Sequence, residues 1–157
     1  MRKSQITRIP QIAPLRGQAW MEVDRIASVE VTSEESDHPI ESALLLEGNG
    51  GWRAANAGMQ TIRLVFDEPQ KLRRILLVFE DTENSRTQEF VLRWSHDIQY
   101  SSREIVRQQW NFSPPDSVRE TEDYPVELSE VKVLELEIVP NKSGGEVRAS
   151  LVSLRLV

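Results

Sequence analysis

The chain has 157 residues, of which 39% are apolar and 28% charged, and its formal net charge is −6. This length and balance predict one globular domain with its own core and exclude a disordered chain. The absence of cysteine excludes disulfides, thiolate metal sites and a cysteine nucleophile. No apolar run is long enough to span a membrane and the basic N-terminus lacks a signal-peptide pattern, so we expect a cytoplasmic protein with no membrane contact.

The beginning of the chain differs in charge and pattern from the rest. Residues 1–25 carry a net charge of +3, which leaves −9 on the remainder. A negatively charged body argues against nucleic acid as a partner, because non-specific binding to phosphates rests on cationic contacts. Pro10, Pro14 and Gly17 interrupt any period in the first residues. We therefore predict an extended lead-in over residues 1–23, anchored by Trp20, and a folded domain over residues 24–157.

The first part of the domain is predicted to contain one strand and one short helix. Residues 26–32 form the first strand pattern. Proline suits the first turn of a helix, so Pro39 predicts a short helix over residues 39–45. The glycines of residues 48–51 predict a turn, and the small-residue segment Trp52-Arg53-Ala54-Ala55-Asn56-Ala57-Gly58 is interpreted as a further turn.

Strand patterns continue from Thr61 to the C-terminus. Residues 61–66 alternate with a period of two, which predicts a buried face formed by Ile62, Leu64 and Phe66. Residues 75–79 are apolar on both faces, as is typical of a central strand. Further strand patterns cover residues 90–94, 105–112, 131–138 and 147–156.

Two of these patterns shift their phase by one residue. The shifts follow Val133 and Leu151 and indicate β-bulges. Seven or eight short strands separated by turns predict an all-β fold, a jelly-roll β-sandwich with one short helix. The oligomeric state stays open, because edge strands such as residues 130–139 can pair between chains or be protected by their glutamates.

The order of strand, polar loop, proline-initiated helix, glycine turn, tryptophan and alternating strands resembles the galactose-binding-like β-sandwich superfamily. This superfamily includes discoidin and coagulation factor C-type domains and many carbohydrate-binding modules. The resemblance covers residues 24–157 and ends in Ala149-Ser150-Leu151-Val152-Ser153-Leu154. It implies a binding module that is not an enzyme, has no cofactor, and recognises a glycan or a protein ligand through loops at one end.

In such a fold the loops at residues 33–39, 47–60 and 80–88 are expected to gather at that end. Trp52 could stack on a sugar or fill the core, and Arg53 could bind a ligand or a neighbouring acid. Arg86 could replace an arginine with which several galactose binders hold the sugar. The candidate ligand-binding residues are His38, Trp52, Arg53, Asn84 and Arg86.

The sequence predicts no metal site. Many related sugar-binding modules hold calcium with an Asp-Gly turn and a late glutamate, but the matching positions here are Glu47-Gly48 and Ser153. Calcium prefers several charged oxygen ligands, so the missing carboxylate predicts that calcium does not bind. His38 and His96 lack the spacing of transition-metal ligands, and Asp97 is expected to accept the amides of its own turn.

Two further functions remain as alternatives. Residues 52–58, with Thr61 and Ile62, are similar to the N-terminal domain of the X-ray repair scaffold protein of single-strand-break repair, which implies a nucleic-acid or DNA-repair adaptor. Loop acids such as Glu35 and Asp81 allow a glycoside hydrolase, although the chain has no nucleophile elbow, phosphate loop or dinucleotide motif.

An aromatic pair near the middle of the chain has two interpretations. Trp110 and Phe112 flank Asn111 and could form an exposed platform on which bases or sugars stack. Because they share one face of a strand, burial is the favoured interpretation.

Overall fold

Residues 19–99 and 102–157 are described by the computed structural model of this chain. They form two four-residue helices and eight strands: α1 (Val23–Ile26), β1 (Ala27–Val31), α2 (Glu41–Leu44), β2 (Trp52–Ala57), β3 (Gln60–Glu80), β4 (Arg86–Ser95), β5 (Arg103–Phe112), β6 (Arg119–Val139), β7 (Arg148–Leu151) and β8 (Ser153–Leu156). Neither helix in these ranges is long and apolar enough to cross a membrane. The all-β architecture predicted from the sequence is confirmed.

The two longest strands, β3 and β6, run antiparallel through both layers of a sandwich. The first part of β3 pairs with β1 and with residues 133–138 of β6, and this part of β6 pairs with β4, which is followed by β5. Residues 74–80 of β3 pair with residues 119–125 of β6 and, on the other side, with β8. The register breaks between these two parts, opposite the phase shift at Val133, and the sheet folds over on itself there.

The core lies between the two parts of this folded sheet. Alternate residues in the first part of β3 are buried, as predicted: Ile62, Leu64 and Phe66. Residues 75–79 are buried on both faces, which confirms the central position predicted for them. Phe79 of β3 stacks on Phe90 of β4 with ring centroids 5.2 Å apart. Because these rings belong to opposite layers, their contact joins the two halves of the sandwich.

A separate two-stranded ribbon, β2 paired with β7, closes one end of the sandwich. Trp52 lies opposite Leu151, and Arg53 lies opposite Ser150. Since side chains alternate across a strand, Trp52 and Leu151 are buried while Arg53 and Ser150 face outward. The turn that leads into β2 requires glycine at position 51, where φ is +70° and an added Cβ would lie 2.6 Å from the carbonyl oxygen of Leu151.

Three details of the predicted fold are wrong. Residues 52–58 are largely strand β2 rather than a turn, because small residues such as Ala54 let the ribbon pack directly on the core. The C-terminal segment is two strands with different partners, β2 and β3, instead of one bulged strand. The structure has a second short helix, α1, besides the predicted one. The sequence did not indicate α1, because a single turn is too short to show a helical period.

The described end of the lead-in is attached to the domain. The guanidinium carbon of Arg74 lies 5.2 Å from the ring centroid of Trp20. The backbone N–H of Met21 donates to the carbonyl oxygen of Leu156 at 2.8 Å, and Val23 is buried in the core. Trp20 therefore anchors this segment, as predicted. Residues 1–18, which hold the rest of the predicted lead-in, lie outside the described residues.

An arginine binds the carbonyl oxygens at the end of α2. Arg155 donates from Nη1 to Ala43 O at 2.9 Å and from Nη2 to Leu45 O at 3.0 Å. Ala43 O is one of the carbonyls that a helix terminus leaves without a partner in the helix, and Leu45 O also accepts the backbone N–H of Gly48 at 2.9 Å. Burial lowers the pKa of Arg155. The described residues contain no group of three or more His, Cys, Asp or Glu side chains suited to a metal ion, and the expectation that calcium does not bind stays a prediction.

Candidate functional site

An open cleft of about 520 Å³ lies at the end of the sandwich that the ribbon closes. Its size is within the range of small-molecule binding sites. It is built from residues 38–53, the loop between β3 and β4, and the segment that contains β7. All five candidate residues line it: His38, Trp52, Arg53, Asn84 and Arg86. The structure thus brings the predicted loops together, while a role for these residues in binding stays a prediction.

The outward face of the β2–β7 ribbon forms the floor of the cleft with Arg53, Ser150 and Arg148. Both arginines contact one carboxylate oxygen, Glu35 Oε1, at 3.3 Å from Arg53 Nε and 2.8 Å from Arg148 Nη1. A guanidinium carries several N–H donors. In the described part of the chain, most donors of these two arginines therefore have no hydrogen-bond partner. Two positive charges share one negative charge at the floor.

A tight turn places Glu35 and His38 beside this floor. The backbone N–H of Glu35 donates to Arg53 O at 2.9 Å, and that of Arg53 donates to His38 O at 3.1 Å. His38 Nδ1 lies 3.3 Å from the carbonyl oxygen of Gly50. Because the two hydrogen bonds that join the turn to Arg53 are made by the backbone, the position of the turn depends chiefly on the ribbon itself.

Trp52 lies beneath the floor and is only 1% exposed. Its indole N–H donates to Ser33 O at 3.0 Å, and the Ser33 hydroxyl accepts the backbone N–H of Ala55 at 3.0 Å. Of the two roles that the sequence leaves open for Trp52, this burial supports the structural one, since a covered ring cannot stack on a ligand. Trp52 holds the loop at residues 33–38 against β2.

Asp81 organises the wall opposite the ribbon. Its Oδ1 accepts the backbone N–H groups of Glu83 and Asn84, both at 2.9 Å, and its Oδ2 accepts Arg86 Nε at 2.6 Å. Burial by itself would raise the pKa of Asp81, but these hydrogen bonds outweigh burial and hold the pKa below its ordinary value. The loop is thereby fixed with the Asn84 side chain exposed on the cleft.

Arg86 supports this wall from inside the protein and is 5% exposed. Its Nη1 donates to Pro140 O at 2.7 Å and to Gln88 Oε1 at 3.1 Å. Its guanidinium carbon lies 4.5 Å from the ring centroid of Phe112. Arg86 is therefore engaged on several sides, whereas Arg53 is exposed to the cleft. Direct contact between Arg86 and a ligand stays a prediction.

A buried acid extends this hydrogen-bond chain into the core. Gln88 Nε2 donates to Glu120 Oε1 at 3.0 Å, and Glu120 is 0% exposed. Burial, together with the neighbouring Glu122 carboxylate, raises the pKa of Glu120 to about 9. Burial thus favours the neutral form of the Glu120 carboxyl group. Through Gln88 and Arg86 it connects the core to the cleft wall.

The sequence interpretation missed two residues of the floor, Arg148 and Ser150. The alternation of Val147, Ala149 and Leu151 already indicates that the intervening side chains point outward. The alternation does not indicate which strand β7 pairs with. Only the pairing of β7 with β2 places Arg148 and Ser150 beside Arg53.

The acids proposed for hydrolysis are both engaged with arginines. Glu35 contacts Arg53 and Arg148, and Asp81 accepts Arg86 Nε at 2.6 Å. A glycoside hydrolase requires one protonated carboxyl group as its general acid. The lowered pKa of Asp81 opposes that role.

The aromatic pair of β5 does not form an exposed platform. Phe112 is buried under the guanidinium of Arg86, and Trp110 is partly buried against the core. The interpretation favoured by their shared strand face, burial, is confirmed for Phe112.

No protein-family model matches the chain, and no curated protein matches it in sequence. Solved structures do match. The CBM32 of AlyQ in complex with 4,5-unsaturated mannuronic acid has a TM-score of 0.60 at 17% identity, over 84% of this chain and 95% of that chain. A pectin binding carbohydrate binding module has a TM-score of 0.60 at 18% identity, over 83% of this chain and 89% of that chain.

A third match is the family 32 CBM from C. perfringens NanJ in complex with galactose. Its TM-score is 0.59 at 16% identity, over 87% of this chain and 96% of that chain. Similarity at this level of identity shows a shared fold and leaves function to be argued from the site. The similarity to the X-ray repair scaffold protein stays untested. The chain shares the fold of these three carbohydrate-binding modules, which agrees with the β-sandwich fold that its sequence resemblance implied.

Proposed function

We propose that this chain is a non-catalytic carbohydrate-binding module whose ligand binds in the cleft between the β2–β7 ribbon and the β3–β4 loop. One observation carries the proposal: a polar cleft of about 520 Å³ opens at the loop end of this fold. In support, three structures with the same fold are described as complexes with mannuronic acid or galactose, or as pectin binding.

The chemistry of the cleft suits a sugar. Sugar hydroxyls both donate and accept hydrogen bonds, and charged partners strengthen such bonds. Arg53 and Arg148 supply donors, the exposed carboxylates of Glu83 and Glu146 supply acceptors, and Asn84 supplies both. The floor and the wall are held by hydrogen bonds before any ligand arrives, which lowers the entropic cost of binding.

A glycan microarray followed by calorimetry with the retained glycans tests this function. Arg53→Ala is expected to abolish or strongly weaken binding. Arg63→Ala is the matched control, since Arg63 is also an exposed strand arginine with carboxylate partners, Glu30 and Glu135, but is not among the residues that line the cleft. An array that retains no glycan, or a retained glycan that binds both variants equally, would contradict the proposal.

The same samples test the absence of catalysis. Incubation of each retained glycan with the protein is expected to release no reducing ends. This expectation rests on the ion pairs that engage Glu35 and Asp81. Release of reducing ends by the wild-type chain that stops in Asp81→Asn would identify an enzyme.

A further inference from the structure

Building on the carbohydrate-binding function proposed above, we infer that the preferred ligand contains hexuronic acid residues whose carboxylate binds to Arg53 and Arg148. These two side chains are the exposed cations of the cleft floor, with exposed side-chain fractions of 50% and 43%. They come from adjacent strands of one ribbon, where Arg53 pairs with Ser150 and Arg148 with Ala57 across a break in the register, and both contact the same oxygen of Glu35.

Glu35 demonstrates that this pair accepts a carboxylate. Its Oε1 lies within 3.3 Å of a nitrogen of each guanidinium group. Glu35 neutralises one of the two positive charges, accepts a hydrogen bond from Arg148 Nη1 and forms an ion pair with Arg53. The remaining charge and donors face the cleft, and the planar guanidinium group matches a planar carboxylate with two parallel hydrogen bonds.

Four acids also line the cleft; two of them are ion-paired with arginines, and three, including the paired Glu80, are exposed to water. Asp81 is paired with Arg86 at 2.6 Å, and Glu80 is paired with Arg119 at 3.0 Å. Glu83 and Glu146 are exposed, where water and salt weaken their repulsion of an anion. An anionic group therefore gains most at the floor.

The described lining of the cleft contains no exposed tryptophan, tyrosine or phenylalanine ring, because Trp52 is covered. Stacking on an aromatic face is a principal source of affinity for ring-shaped ligands of low charge. Without it, charge-assisted hydrogen bonds have to supply most of the binding energy. A carboxylate makes stronger bonds of this kind to arginine than a neutral hydroxyl does.

Calorimetry with acidic oligosaccharides and their methyl esters tests this inference. The probes are oligomers of galacturonate, glucuronate, mannuronate and guluronate, each in the acid form and as the neutral methyl ester. At least one acid form is expected to bind about tenfold or more tightly than its ester at low salt, and its affinity is expected to fall as salt rises. Arg148→Gln is expected to bring the affinity ratio of acid to ester close to one.

Arg63→Gln serves as the control, because it removes an exposed, ion-paired arginine that does not line the cleft and should leave the ratio unchanged. Esters or other neutral glycans that bind as tightly as the acids would refute the uronic acid preference while leaving the carbohydrate-binding function intact. Tighter binding of a sulfated oligosaccharide than of any hexuronate would also refute it. If neither acidic nor neutral glycans bind, both the preference and the function fail.

Discussion

Replacement of Glu120 by glutamine is expected to stabilise the protein at neutral and alkaline pH. Glu120 is fully buried, accepts a hydrogen bond from Gln88 at 3.0 Å, and lies beside the Glu122 carboxylate. The amide of Glu120→Gln has the shape of the neutral acid and keeps an acceptor for Gln88, but it does not titrate. The variant therefore isolates the cost of keeping a proton on this side chain.

The sign and size of the effect follow from linkage. Burial raises the pKa of Glu120 from 4.5 to about 9 in the folded state. Between these values the folded protein binds a proton that the unfolded chain has released. The contribution of the Glu120 proton to the free energy of unfolding is therefore fully present below about pH 4.5. It is lost as pH rises towards 9, by up to roughly 1.4 kcal/mol per pH unit. At pH 7 this amounts to about 3 kcal/mol, of which Glu120→Gln should recover a part, because its amide nitrogen replaces Oε2, a buried atom without a hydrogen-bond partner among the described residues.

Other shifted acids do not mask this trend. Hydrogen bonds from Gln109 and Lys142, against burial, lower the pKa of Glu89 to about 2, and the pKa of Asp81 is also lowered. Both carboxylates are ionised above pH 5 in the folded and unfolded states alike, so their contributions change only in more acidic solution.

Urea unfolding followed by tryptophan fluorescence between pH 5 and about pH 9 is the assay. The wild-type free energy of unfolding should fall with pH, and that of Glu120→Gln should be nearly level. Glu127→Gln, an exposed acid on the same strand, controls for the loss of one charge. A wild-type profile that is flat or rises with pH, or a Glu120→Gln profile as steep as the wild type, would refute the reasoning.

Three further substitutions test the parts that hold the cleft. Arg155→Met removes the donor of Ala43 O and one of the two donors of Leu45 O and should cost about 1–3 kcal/mol in chemical unfolding; a cost near zero would mean that water replaces the guanidinium. Trp52→Phe removes the hydrogen bond to Ser33 O and should cost at least about 1 kcal/mol, and a thermal melt unchanged from wild type would contradict the anchoring role. Gly51→Ala forces a Cβ against the backbone of β7 at positive φ and should lower the free energy of unfolding by more than about 1 kcal/mol. A smaller loss in chemical unfolding would contradict the described geometry of this turn.

The fold was predictable because most of its strands reveal themselves by local pattern. The alternation of Ile62, Leu64 and Phe66 and the two-sided apolar segment at residues 75–79 each specify burial without reference to the rest of the chain. The ribbon strand β2 is different. Its alanines have low strand preference and form a strand because they pack closely on the core opposite β7, which is a tertiary effect.

The candidate site was predictable only in part, for a similar reason. Arg53 and Asn84 belong to the segments at residues 47–60 and 80–88, which the family resemblance predicts to lie close together. The structure places both residues on the cleft. Arg148 lies 95 positions further along the chain than Arg53 and joins it through strand pairing. Glu120 and Glu122 share one face of β6 in a pattern that equally describes a solvated strand face, so the burial of Glu120 depends on the packing of residues 119–125 of β6 over Gln88 of β4.

The most direct test of the carbohydrate site is an NMR titration of the ¹⁵N-labelled protein with the tightest-binding glycan from the array. The account predicts saturable shift changes confined to the amides of the cleft, including those of Arg53, Asn84 and Arg148. Shift changes centred on the separate surface depression lined by Arg63 and Arg93, with the cleft amides unmoved, would contradict it.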